Sequence, residues 1–325
     1  RTTSEPAAFS KMIKKNLKTL VRILVSGIIL WLIARSIDLG QVLDNLRGAS
    51  PGLLLLALGL QGASIAAAAY RWFLVMRNLD YPLPRQFYIR SYFKGMFFNQ
   101  GLPTSVGGDA LRVLDVASQG YRKRDAFAGV LVDRGIGLAA LMLLNVLALL
   151  ASPGLLPGNV TWGIAAMVSI GLTGFLAVLV FARLRWVENF SQLRLLRILS
   201  FQLQQAFSRQ GLLLVMLSLL IHMLTVACIY TIGLSLDMHY SLLTYLVIVP
   251  PVILFTVIPV SVAGWGVREG AMVTLFALIG ADKAAVLAMS IIFGLILIAA
   301  SVPGLLVYLQ GRHHAPLQDK IEGDR

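Results

Sequence analysis

The chain has 325 residues, 58% of them hydrophobic and only 13% charged, with a mean hydropathy of +0.80. That is too apolar for a soluble domain and describes an all-α polytopic membrane protein, so the formal charge of +13 does not call for nucleic acid. The single Cys228, set in an apolar run, excludes an intramolecular disulfide.

Residues 1–19 form a basic N-terminus carrying Lys11, Lys14, Lys15 and Lys18. The first apolar run, about 20–37, reads as a span with Arg22 and Arg35 snorkelling from its ends, a signal peptide being the competing reading. Further spans are expected at about 51–71, 126–150, 160–182, 211–233 and 284–309, six in all, before a tail at 310–325. Of the 28 Lys and Arg residues, 22 fall in segments 1–19, 71–94, 112–125, 183–210 and 310–325, and only Arg47 and Lys283 in the intervening loops. By the positive-inside rule both termini then lie in the cytoplasm, and the basic face attracts anionic headgroups.

Two segments fit no simple span. Residues 85–118 leave a basic loop, turn apolar, break at Pro103 and return to Arg122, Lys123 and Arg124, as a re-entrant hairpin would. Residues 241–280 break at Pro250 and Pro251 and again between Pro259 and Gly266, and would enter from the opposite side. In "LPTSVGGDALR" and "IPVSVAGWGVR", Pro103, Ser105, Val106, Gly108 and Arg112 match Pro259, Ser261, Val262, Gly264 and Arg268 at an offset of 156. Asp125, Ala128, Gly137 and Leu138 match Asp282, Ala285, Gly294 and Leu295 at 157. Residues 20–150 and 160–309 thus read as inverted repeats, each of two spans, a hairpin and a span, with the broken segments marking a substrate site.

A helix restarting after Pro103, capped by Thr104 or Ser105, would offer free N–H groups to an anion such as phosphate, and Gly107 and Gly108 would permit close approach. Asp109 and Arg112, three apart, are placed to pair. Ser261, Gly264 and Gly266 repeat the cap and the approach, and Trp265, Arg268 and Glu269 add a ring and a charge pair. Asp133 and Arg134, eight residues into a span, cannot both face lipid and are expected to contact the hairpins. A packing network with no substrate role is the competing reading of these charges. His222 reads as a helix-contact residue, and Asn99 and Gln100 as partners for backbone groups freed at the break.

"NQGLPTSVGGDALRV", "LVDRGIGL" and "PVSVAGWGVREG", in this order, resemble the lysylphosphatidylglycerol synthase transmembrane-region family, or flippase-like domain, over nearly the whole chain. That family includes the membrane half of the multiple peptide resistance factor and many stand-alone bacterial and archaeal proteins. The matching positions are Asn99, Pro103, Thr104, Ser105, Gly107, Gly108, Asp109 and Arg112, then Asp133 and Arg134, then Pro259, Ser261, Gly264, Trp265, Gly266, Arg268 and Glu269. The resemblance implies movement of a lipid across the bacterial or archaeal cytoplasmic membrane. The lipid would be anionic, aminoacylated, glycosylated, polyprenyl-linked or hopanoid.

About 16 residues follow the last span, so no aminoacyl-transferase domain is expected and a synthase activity is not. The leading reading is a flippase- or scramblase-like translocator rather than an enzyme. The alternatives are a membrane-embedded transferase using Asp109, Asp133 or Glu269, and an accessory or scaffold subunit partnering a lipid-modifying enzyme. No P-loop sequence and no paired His/Cys spacing occur, so no cofactor or metal is expected, and homo-oligomerisation is left open.

Overall fold

The computed structural model describes residues 20, 21, 23–33, 35–101, 107–181, 194–258 and 261–312. Among the described residues every regular element is an α-helix: α1 (Ile23–Ile33), α2 (Leu39–Gly48), α3 (Pro51–Asn78), α4 (Arg85–Gly101), α5 (Gly107–Ala117), α6 (Lys123–Ala151), α7 (Gly158–Phe181), α8 (Arg194–Ser235), α9 (Leu242–Val257), α10 (Val267–Ala277) and α11 (Lys283–Arg312). Five of them, α3, α6, α7, α8 and α11, are long and apolar enough to cross a bilayer. The sixth expected span, 20–37, contains the shorter apolar helix α1.

The bundle is organised around α3 and α8. Ala57, Gln61, Ser64, Ala68, Arg71, Val75 and Asn78 are buried at alternating spacings of four and three, one stripe of α3. That stripe meets α8 antiparallel. Ser64 Oγ donates to the Ile221 carbonyl (3.1 Å), Arg71 Nη1 to Ser218 Oγ (3.0 Å) and Asn78 Nδ2 to the Ala206 carbonyl (2.9 Å). Small and polar side chains suit such a seam, because helices surrounded by lipid associate through close packing and hydrogen bonds rather than by hydrophobic exclusion.

Around this axis the contacts come in matched sets. Helix α4 packs on α3, α5 and α11, and α9 on α8, α10 and α6; α5 packs on α6 as α10 does on α11. At the α4–α11 seam, Gly304 lies so close to the Phe93 carbonyl that a Cβ there would collide with it, and Phe98 meets Tyr308 edge-on at 5.0 Å.

Three expectations are corrected. Pro250 and Pro251 do not break the chain, since α9 runs through both. Proline at 251 removes the N–H that the Val247 carbonyl would accept, and Asn145 Nδ2, from α6, donates to that carbonyl at 3.0 Å instead. Second, the helix carrying the span expected at about 211–233 begins at Arg194, and Leu203 and Ala206 are buried against the end of α3; the junction with the apolar part of α8 is a kink at Gln210 (φ −144°, ψ 36°). Third, the second span extends past residue 71 to Asn78. The unexpected α2 begins at an Asp38 cap, whose Oδ1 accepts from the Gly40 N–H at 2.8 Å.

Candidate functional site

Helix α5 opens at Gly107 and buries Gly108, Asp109, Arg112 and Val116 along one stripe. Asp109, in the first turn, complements the positive end of the helix dipole and accepts from Arg112 Nη1 at 3.1 Å, the expected pair. The other guanidinium nitrogen, Nη2, donates to Asp133 Oδ2 on α6 at 2.6 Å. Asp133 Oδ1 accepts from Arg71 Nε of α3 at 3.0 Å, and Arg134 forms an ion pair with Asp109. Adjacent Asp133 and Arg134 therefore turn to different partners, both contacting α5 as expected. The guanidinium of Arg112 also lies 3.9 Å from the ring centre of Trp72 and 4.9 Å from that of Tyr92, so aromatic faces and carboxylates share its charge.

These side chains line a cavity of about 230 Å³ between α3, α4, α5, α6 and α8, with Tyr92, Met96, Asn99 and His222 completing it. Its charged lining is three guanidiniums (Arg71, Arg112, Arg134) and two carboxylates (Asp109, Asp133), a formal excess of one positive charge. Arg112 is only 4% exposed, yet among the described residues its Nε has no hydrogen-bond partner. A buried guanidinium nitrogen left unsatisfied is costly unless something fills the cavity beside it. His222 acts as expected of a helix contact, donating from Nε2 to the Gly137 carbonyl at 2.8 Å.

Gly108 has a different role from the one expected. Its Cα faces the backbone of Gly95, where a Cβ would collide with the Gly95 carbonyl, and its N–H donates to Asn99 Oδ1 at 2.8 Å. What approaches closely is helix α4, and Asn99 supplies the acceptor for the freed backbone group. Pro103, Thr104 and Ser105 lie outside the described residues.

The second motif builds a cluster of a different kind. Gly264 (φ 83°) and Gly266 (φ 85°) turn the chain into α10 through positive-φ conformations that glycine adopts without strain. Glu269 is fully buried: its Oε2 accepts from the Gly266 N–H (2.6 Å) and its Oε1 from Arg268 Nη2 (2.5 Å), Arg268 Nε (3.0 Å) and Ser290 Oγ (3.2 Å). The Trp265 ring centre lies 4.8 Å from the Arg268 guanidinium. Buried Ser261 sits in the turn before Gly264, while the Val262 N–H is received by Ser26 Oγ of α1 at 3.0 Å. Pro259 is outside the described residues. Arg112 thus serves two carboxylates and keeps a nitrogen without a partner among the described residues, whereas Arg268 is neutralised by its own neighbour.

A family model described as lysylphosphatidylglycerol synthase TM region matches residues 19–304. The chain belongs to this family. No curated protein matches it. Membership, with five helices able to cross a bilayer, makes this family member an integral membrane protein with a role connected to membrane lipids.

Arg71, Trp72, Tyr92 and Ser290 are the site residues that motif reading missed. Arg71 stands where the span expected at 51–71 meets the basic segment 71–94, and the signal that places it inside is the heptad-spaced stripe from Ala57 to Asn78. Ser290 stands 157 positions after Asp133 and hydrogen-bonds Arg268 (3.3 Å) much as Asp133 holds Arg112.

Proposed function

We propose that this protein is a lipid translocator of the flippase or scramblase kind, which receives the phosphate-bearing headgroup of an anionic or modified lipid in the cavity around Arg112. The observation that carries the reading is the cavity with one excess positive charge, on which the buried Arg112 presents an Nε that has no partner among the described residues. A phosphodiester brings one negative charge and acceptor oxygens that suit a guanidinium fork. The protein acts here as a carrier and not as an enzyme.

The matched contacts of α3–α6 and α8–α11 support an inverted repeat with α4–α5 and α9–α10 as its re-entrant hairpins. In each hairpin the second helix packs on the long helix that follows it, α5 on α6 in the first half and α10 on α11 in the second. Ser64 and Ile221, 157 positions apart like Asp125 and Asp282, touch each other where α3 crosses α8, as residues on a pseudo-two-fold axis do.

Two experiments test the proposal. In proteoliposomes the protein should speed transbilayer movement of phosphatidylglycerol at least tenfold over glucosyl-diacylglycerol with the same chains, which lacks the phosphate. Equal rates would remove the phosphate from the recognition. For topology, the charge bias requires both termini and residues 122–124 on the cytoplasmic side. A cysteine at position 123 in a Cys228→Ala background should be labelled in inverted vesicles and not in intact cells. The reverse pattern would overturn the hairpin arrangement.

A further inference from the structure

A second basic recess lies where α3 ends, α4 begins and the first part of α8 crosses them. It has a volume of about 490 Å³ and is lined by Phe73, Arg77, Asp80, Leu83, Arg85 and Arg209, with Pro82 at its edge. The single carboxylate in it is already held, since Asp80 accepts from Arg209 Nη1 (2.9 Å) and Gln205 Nε2 (2.7 Å). Arg77 and Arg85 make no ion pair among the described residues. Instead each lies over an aromatic ring, Arg77 6.0 Å from the centre of Phe73 and Arg85 5.8 Å from that of Tyr70. Both arginines are exposed, and Phe73 and Leu83 are half-buried beside them.

Two uncompensated guanidiniums above an apolar floor, at the end of a membrane-crossing helix, are complementary to one kind of molecule. Its head must be anionic and planar enough, or forked enough, for arginine, and its body must be apolar. A soluble anion would leave Phe73 and Leu83 uncovered; a zwitterionic lipid would bring its own cation against Arg77 and Arg85. The recess is also separate from the cavity around Arg112. Arg85 and Tyr92 lie on one stripe of α4 seven residues apart, roughly 10 Å along the helix axis at about 1.5 Å per residue.

We propose that this recess is an interfacial binding site for an anionic phospholipid, with the headgroup phosphodiester between Arg77 and Arg85 and the start of an acyl chain against Phe73 and Leu83. Binding here does not depend on transport, so the site stands or falls independently of the translocation reading.

The test is binding in detergent, read as lipid retained by the intact protein in native mass spectrometry during titration with phosphatidylglycerol. Phosphatidylcholine with the same chains is the zwitterionic control, and glycerol 3-phosphate the soluble phosphate control. Wild type should retain phosphatidylglycerol in preference to both. Arg77→Gln/Arg85→Gln should lose one bound phosphatidylglycerol or weaken it by about tenfold or more, and Arg77→Lys/Arg85→Lys should keep most of the binding. Both arginines are on the surface, so the variants are expected to fold, and an unchanged thermal transition verifies it. Unaltered phosphatidylglycerol occupancy in the folded Gln variant would overturn the proposal, as would equal affinity for glycerol 3-phosphate or for phosphatidylcholine.

Discussion

Replacing Asp133 with alanine is expected to destabilise the protein by about 3–5 kcal/mol, the cost typical of removing one partner from a buried ion pair. Its side chain is 2% exposed and receives Arg71 on one oxygen and Arg112 on the other, joining α3, α5 and α6 through a single carboxylate. Without it two guanidiniums face each other in a low-dielectric interior, where repulsion and desolvation act in the same direction. Asp133→Asn should recover only part of the loss, because an amide keeps the shape but offers one acceptor and no charge. Asp109→Asn should cost much less, since Arg112 would still hold Asp133 and the Arg134 side chain is 36% exposed. Unfolding in detergent micelles, followed by intrinsic fluorescence, gives the order. A loss of less than about 1 kcal/mol for Asp133→Ala would mean that these charges do not hold the helices together.

The fold class was legible because apolar length marks the candidate spans, and the second Pro-x-Ser-Val-x-Gly segment falls between α9 and α10, while most of the first lies outside the described residues. The paired charges were legible where partners are close in sequence, as with Asp109 and Arg112 or Arg268 and Glu269. What sequence could not supply was the partner brought in by another helix. Arg71 stands where the expected span 51–71 meets the basic segment 71–94; the stripe from Ala57 to Asn78 turns it inward, but its partner Asp133 is 62 positions away. Pro250 and Pro251 looked like a break because proline removes a backbone donor. Nothing near them announces that Asn145, on α6, restores a donor to the Val247 carbonyl. Gly108 looked like room for a ligand, whereas the room is taken by Gly95 of α4. In each case the deciding neighbour lies on another helix, which is a tertiary fact.

Changing Arg112 should affect transport more than folding when its counter-charge is changed with it. Arg112→Lys keeps the charge but cannot donate to Asp109 and Asp133 while presenting a further nitrogen to the cavity, so translocation should fall about tenfold. Arg112→Gln/Asp109→Asn removes one cation and one anion together. Asp133 keeps Arg71, and partly exposed Arg134 can turn to water, so this variant should remain folded with the cavity's formal charge unchanged. The decisive measurement is the rate of phosphatidylglycerol translocation by this double variant in proteoliposomes, alongside wild type, with thermal transitions checked on the same preparations. If Arg112 receives the headgroup, the folded double variant should be slower by at least tenfold, roughly the value of one lost charge-assisted hydrogen bond. Translocation at the wild-type rate by the folded double variant would show that Arg112 packs the helices and does not hold the lipid.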